Sequence, residues 1–404
     1  MGSQRIFRSS EGRTTDRFTT ATRPGFRLTC QLAANRGWDI SHIDLKTAFL
    51  QGESYDELRN VVCQLPPEAG LPPWMAARLI KPAYGMNDAP RKWFNVIDKA
   101  LVNYGMVPTR ADRCCYVLYR DAPSTVLQKS GISKNRASGK PAEAMDMQTI
   151  EKAINLLMDP FSTSNAVGKI VVGVICLHVD DLFITGSDEL EKRVLSRLRL
   201  DFQVGSEGKN EIIFTGQRVR KLDGKITVDQ NAAVEELKEF EFDKTLKDDV
   251  ACDPALHAAF RSGLGSLNWL QSRTQYHIAY RFSRLASASA SPTIGDLRAL
   301  NKLIRCTKAE PVKLVYRRLQ GPCRILGIPD ASYRNNSDKS SQRGQCIFLA
   351  ESRKIPTSGR FDSESSRGPR WPLSMGVEPG KCILKAPQAY DSNSFKNGVI
   401  GLMG

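Results

Sequence analysis

Asp180 and Asp181 stand side by side between two apolar runs, Ile170-Val171-Val172-Gly173-Val174-Ile175-Cys176-Leu177 and Leu182-Phe183-Ile184-Thr185-Gly186. The pattern reads as a β-hairpin buried on both flanks, with two carboxylates at its tip. Like charges this close repel, and burial beside them raises the cost. A divalent cation relieves both. A solvated acidic turn is the competing reading of the dipeptide alone. A third carboxylate, Asp44, closes an alternating run, Trp38-Asp39-Ile40-Ser41-His42-Ile43-Asp44-Leu45, and Lys46 to Gly52 follow as a strand-to-turn exit. An aspartate at a strand end plus an aspartate pair on a hairpin suits two-metal phosphoryl chemistry, with two Mg²⁺ ions roughly 3.5–4 Å apart serving the attacking and leaving oxygens. Mg²⁺ takes hard oxygen ligands and keeps waters, so few carboxylates suffice.

Such carboxylates need rigid elements beneath them. Residues 25–37 carry Phe26, Leu28, Leu32 and Ala33 at near-helical spacing, and that helix should end near Gly37 and feed the strand bearing Asp44. Residues 90–105 put Trp93, Phe94, Ile97, Ala100 and Leu101 on one helical face. Cys115 to Tyr119 reads as a strand, and residues 188–200 as an amphipathic helix. A strand pair, 211–219 and 225–229, should turn at Asp223-Gly224. Helices are expected over 230–241, within 256–290 and over 294–308. Strands are expected at Val312–Tyr316 and Arg324–Ile328, with Pro329-Asp330-Ala331 at the exit of the second. Ser, Lys, Gly and Pro dominate 124–142, which cannot bury enough apolar area to offset ordering; with a short helix near 145–158 this forms an insertion, dispensable to the fold.

Five stretches, in order, resemble the reverse transcriptase of Ty1/copia-type retrotransposons. Ile43 to Gly52 (IDLKTAFLQG) matches that family's first catalytic motif. Leu79 to Phe94 (LIKPAYGMNDAPRKWF) matches its "LYGLKQAPRxWY"-like block, and Leu177 to Gly186 (LHVDDLFITG) its "YVDD" hairpin. Asp201-Phe202 through Phe214-Thr215-Gly216-Gln217-Arg218-Val219 resembles its "FLGI" region. Ser266 to Leu270 with Thr274 to Arg284 resembles its "GSLxYL…TRPDIAYxVSRLS" segment. The resemblance covers roughly residues 19 to 350. It implies an α+β fold: a right-hand polymerase palm and partial fingers, a helical thumb and connection, then an incomplete ribonuclease H-like sheet. By resemblance, Asp44 and Asp180 bridge both Mg²⁺ ions (Mn²⁺ in their place is the alternative), and Asp181 assists. Phe49 falls where the family keeps an aromatic steric gate beneath the nucleotide sugar, with a core aromatic the alternative. Backbone N–H groups of Thr47 and Ala48 are placed to hold the triphosphate. Tyr84-Gly85 falls in the template and nucleotide pocket, with turn packing the alternative for Tyr84. Arg91, Lys92 and His178 are candidate nucleic-acid contacts, and a solvated face is the equal reading for Arg91 and Lys92.

The implied segments are a disordered basic N-terminus (1–18), partial fingers and first palm part (19–120), the insertion (121–168) and the palm with the Asp-Asp hairpin (169–229). Thumb and connection helices (230–310), a truncated ribonuclease H-like part (311–350) and a divergent, disordered tail (351–404) complete the chain. The implied partners are an RNA template, a DNA primer and deoxynucleoside triphosphates, with oligomeric state left open. A net charge of +15 over 404 residues suits a polyanionic partner. No apolar run reaches the roughly 18 residues of a membrane span, and the N-terminus lacks an apolar signal core. The expectation is an intracellular protein, in a cytoplasmic particle or the nucleus. Ten cysteines without CxxC spacing read as reduced thiols.

Three departures bear on activity. His178 replaces the hairpin's usual Tyr. The family's basic fingers segment upstream of Gly25 is not recognisable. Asp330 matches the first ribonuclease H aspartate, but the later ligands are missing; one carboxylate cannot complete that site, so Asp330 reads as vestigial and no ribonuclease H activity is expected. The chain therefore reads as a fragment or decayed copy of an element's polyprotein. The expected function is RNA-directed DNA synthesis. A non-catalytic nucleic-acid-binding remnant is the alternative, and a metal-dependent phosphohydrolase on the same aspartates is a further rival.

Overall fold

The computed structural model describes residues 20–65, 67–70, 72, 74–121, 169–321, 323–334, 341–351 and 375–376. The expected disordered N-terminus, nearly all of the insertion and most of the tail lie outside these residues. The chain divides into two compact units, Met1–Thr215 and Gly216–Gly404, each mixed in helix and sheet.

The first unit opens with α1 (Arg23–Arg36). The Thr22 hydroxyl caps its start by accepting from the Gly25 amide, and a left-handed Gly37 closes it. The chain then enters β1 (Asp39–Leu45), a 3₁₀ turn (Ala48–Gln51), the short pair β2 (Val62–Gln64) and β3 (Ala76–Arg78), and α2 (Ala89–Asn103). Strands β4 (Met106–Pro108), β5 (Cys115–Asp121), β6 (Lys169–His178) and β7 (Asp181–Gly186) follow. Helix α3 is continuous through Asp188–Leu190, a π-helical Glu191–Leu195 and Ser196–Asp201, and leads to β8 (Val204–Lys209) and β9 (Glu211–Phe214).

One six-stranded sheet, ordered β4-β5-β6-β7-β1-β8, holds this unit together. One face packs Ile43, Leu45, Ile175, Leu182 and Ile184 against Trp93, Ile97 and Leu101 of α2 and Val194 and Leu198 of α3, all buried. The other face packs under α1, where Phe26, Phe183 and Phe214 meet with ring centroids 4.9 to 5.5 Å apart. Each aliphatic side chain so buried contributes about 1.5–3 kcal/mol. A one-residue slip would turn that whole set to the wrong face, so the apolar pattern fixes the register. Cys30, Cys114, Cys115 and Cys176 are buried free thiols, and burial leads the causes that raise the pKa of Cys30 and, to about 12, of Cys114.

The second unit starts with the hairpin β10 (Gln217–Leu222) and β11 (Lys225–Asp229), turning at Asp223-Gly224. Helices α4 (Asn231–Glu235), α5 (Pro254–Gln271), α6 (Ala279–Ser287) and α7 (Ile294–Ala309) build a core around Phe260, Leu267, Leu297, Leu300 and Ile304. Then β12 (Leu314–Tyr316) pairs with β11, and β13 (Cys323–Ser332) pairs with β14 (Gln342–Glu351). The two-residue β15 (Met375–Gly376) adds to β12. Among the described residues no helix is long and apolar enough to cross a membrane.

Three elements depart from the sequence pattern. The expected strand 211–219 is broken at Thr215-Gly216, both at positive φ (47° and 71°). The expected helix 230–241 stops at Glu235. The Asn301 side chain accepts from the Phe240 amide (3.0 Å) and donates to the Phe240 carbonyl (2.8 Å), so tertiary bonds replace helical ones there. Asp330 is not at a strand exit: β13 continues to Ser332, because its pairing with β14 runs on to Ser332–Gln342.

Candidate active site

The register of β1 against β7 sets Asp44 directly opposite Asp181, with Ile43 opposite Leu182 and His42 opposite Phe183. Directly opposed residues share a face, so Asp44 and Asp181 emerge together on the α1 side, while their apolar neighbours face α2. Asp180 sits in the two-residue turn between β6 and β7, and its carbonyl accepts from the Leu45 amide at 3.0 Å. One carboxylate oxygen from each of Asp44, Asp180 and Asp181 lies within 4.8 Å of the others, and all three residues are half-buried. Burial raises the Asp180 pKa, and the neighbouring Asp181 and Asp44 charges add to it; a backbone hydrogen bond and His178 oppose the rise.

The hairpin tip is strained. Val179 takes φ 60°, unfavourable for a β-branched residue. Trp93 compensates: it is 1% exposed, and its Nε1–H donates to the Val179 carbonyl at 2.6 Å. Trp93→Phe keeps the ring against Phe202 but leaves that carbonyl unsatisfied. The expected destabilisation is about 1–3 kcal/mol by chemical denaturation, with faster hydrogen exchange at residues 177–182. Lost stability with unchanged exchange at residues 177–182 would show that Trp93 serves only as core.

The nucleotide-site candidates gather beside the carboxylates. Thr47 adopts a left-handed conformation (φ 49°) and opens the 3₁₀ turn that carries Ala48 and Phe49. The Phe49 ring lies 4.6 Å from the Tyr84 ring, centroid to centroid. The Tyr84 hydroxyl faces the Ala48 backbone amide, and burial first, then the Asp180 and Asp44 charges, raise its pKa. Gly85 follows at φ 91°. The loop carrying Tyr84 ends at Asp88, the residue before α2, and Asp88 anchors the loop that follows the 3₁₀ turn: Arg59 pairs with it at 2.7 Å, and the Tyr55 hydroxyl donates to it at 3.2 Å.

The nucleic-acid candidates are placed differently. Arg91 is exposed at the start of α2. Lys92 donates to the Ser54 carbonyl (3.3 Å) and lies over the Tyr55 ring, which ties it to the protein's own loop. His178 is opposite Asp181 in the register, its ring edge-on to Phe214 at 6.2 Å. Asp330 lies in the second unit, where its backbone pairs with Gly344.

Two residues at the site escaped the sequence reading. His42 Nε2 lies 2.9 Å from Asp181 Oδ1. A Cβ at Gly205 would come within 2.3 Å of Asp44 Oδ2, so this glycine, at the irregularity where β8 shifts against β1, leaves the space that carboxylate fills. A signal for His42 was present: of the chain's four histidines, His42 and His178 each stand two residues before an aspartate of the cluster.

Comparisons with known proteins agree with the resemblance. Residues 20–127 match the family model described as reverse transcriptase (RNA-dependent DNA polymerase). The match includes Asp44 and Tyr84 and ends before the hairpin. The Retrovirus-related Pol polyprotein from transposon RE1 of Arabidopsis thaliana is 22% identical over 91% of this chain and 24% of its own length. That from transposon RE2 of the same plant is 23% identical over 80% of this chain and 20% of its own length. That from transposon TNT 1-94 of Nicotiana tabacum is 27% identical over 32% of this chain and 11% of its own length. The chain thus spans no more than about a quarter of these relatives. Residues 20–127 carry a reverse transcriptase domain, and most of the chain is related to the Pol polyproteins of copia-type retrotransposons.

Proposed function

We propose that the first unit is a polymerase palm with partial fingers and that its carboxylate cluster carries RNA-directed DNA synthesis by two-metal nucleotidyl transfer. The observation that carries this reading is the convergence of Asp44, Asp180 and Asp181 within 4.8 Å inside a chain with a reverse transcriptase domain. The cluster fits hard divalent cations: the donors are all oxygen, half-buried, and among the described residues no Lys or Arg ion pair offsets their charge. Asp44 and Asp180 would hold both Mg²⁺ ions, with Asp181 assisting. Bound cations supply activation of a primer 3′-hydroxyl and neutralisation of charge developing on the phosphate.

The remaining work falls to the chain's own groups. The Thr47 amide would be offered to an incoming triphosphate, and the Ala48 amide, which faces the Tyr84 hydroxyl, would exchange that partner for a phosphate oxygen. Phe49, braced by Tyr84, forms the floor beneath the sugar and excludes a 2′-hydroxyl. The basic balance of the chain favours an RNA template and DNA primer. In the second unit, α5 to α7 fill the role of thumb and connection, and β13–β14 that of a partial ribonuclease H-like sheet without nuclease activity.

Primer extension separates this reading from its rivals. The protein should extend a DNA primer on an RNA homopolymer with Mg²⁺ and the complementary deoxynucleotide. Asp180→Asn should lose extension while retaining affinity for the primed template. Equal extension by both proteins would reject the site. Hydrolysis of a simple phosphate ester without any primer would favour a phosphohydrolase instead.

A further inference from the structure

We propose that His42 is a positioning residue that turns a single oxygen of Asp181 toward the cation centre. The inference rests on reading the cluster as a cation site and adds to it a residue outside the carboxylates. His42 precedes Asp44 by two residues on β1, so both lie on the same face, and it stands opposite Phe183, two residues beyond Asp181 on β7. Its Nε2 lies 2.9 Å from Asp181 Oδ1. An aspartate carboxyl rotates broadly about its last torsion. The imidazole fixes that torsion by engaging Oδ1, which leaves Oδ2 for a cation.

The imidazole is itself held. The His42 side chain is 13% exposed. Its ring stands edge-on to Phe214, with centroids 6.4 Å apart. Phe214 is 2% exposed and packs against Phe26 and Phe183. The ring therefore has little room to swing from Asp181. The chain of support runs from the aromatic cluster under α1, through His42, to one carboxylate. Asp44 is confined by other means, the close approach of β8 at Gly205. Hydrogen-bond partners of ligating groups typically change cation affinity 10–100-fold when removed.

Mn²⁺ binding to the full chain, followed by the electron paramagnetic resonance of free Mn²⁺, tests this without any need for turnover. His42→Phe keeps an aromatic ring against Phe214 and removes the nitrogen. His42→Gln keeps an amide N–H donor. The expected result is affinity about 10–100-fold weaker for His42→Phe and close to wild type for His42→Gln, with the melting temperatures of the cation-free proteins alike. Equal affinity in wild type and His42→Phe would overturn the positioning role while leaving the cation site standing. Equal weakening by both variants would also overturn it, because the donor would then not be what matters. Wild-type protein that binds no Mn²⁺ would remove the cation site and this inference together.

Discussion

Asp44→Asn is expected to lower primer extension roughly a thousandfold or more without destabilising the cation-free protein. Charge neutralisation at a transferring phosphoryl group is worth several kcal/mol, and each 1.36 kcal/mol is tenfold in rate. Asparagine keeps the size of the side chain and its place beside Gly205 but removes the charge. Stability should move the other way. Three half-buried carboxylates within 4.8 Å repel one another, and the raised Asp180 pKa reflects burial first and then its two acidic neighbours. A folded-state pKa above the unfolded value means the fold holds that proton more tightly. The stabilisation from this group is fully present below the unfolded pKa and is lost as pH rises through the folded one. As pH rises, then, the cation-free wild type takes on more of this repulsion, and Asp44→Asn relieves part of it. Thermal unfolding in chelator at pH 5 and pH 8 should show Asp44→Asn at least as stable as wild type, with the larger advantage at pH 8. A variant that loses activity and stability together would place Asp44 among structural residues.

Phe49→Ala should relax sugar selection by tenfold or more, the equivalent of about 1.4 kcal/mol of steric discrimination. Phe49 is on the turn directly after Asp44, partly buried, its ring against Tyr84. Removing it opens space beneath a bound sugar while leaving all three carboxylates in place. Ribonucleotide incorporation should rise relative to deoxyribonucleotide incorporation, and affinity for the primed template should stay as it was. A core phenylalanine would behave otherwise: truncation would cost about 3–5 kcal/mol and depress every activity together. Unchanged sugar preference in a stable, active Phe49→Ala protein would leave Phe49 as packing for Tyr84.

The parts of the site carried by local pattern were legible in the sequence. The apolar runs on either side of Asp180-Asp181 leave room for little but a tight hairpin, and the alternation before Asp44 specifies a strand whose last inward residues, Ile43 and Leu45, are buried. The parts that depend on partners distant in the chain were not. His42 meets Asp181 only through the β1–β7 register, 139 residues apart. Gly205 matters only because β8 pairs irregularly beside Asp44. The same physics shortened α4: Leu237 and Phe240 are spaced as on one helix face, yet Asn301 takes the Phe240 backbone, and both side chains pack on the second unit's core without a helix. The break at Thr215-Gly216 moves the buried positions from Ile212 and Phe214 to Gln217 and Val219, a change of parity that shows only once Gly216 is seen to lie tight against the Trp269 ring.

The central claim is that the carboxylate cluster copies an RNA template into DNA. Single-nucleotide addition tests it most directly: an oligo(dT) primer annealed to poly(rA), Mg²⁺, and each of the four deoxynucleoside triphosphates supplied separately. Mg²⁺-dependent addition of dTMP and exclusion of the other three are expected. Addition of all four alike, or no addition by protein that binds both the primed template and divalent cation, would contradict it.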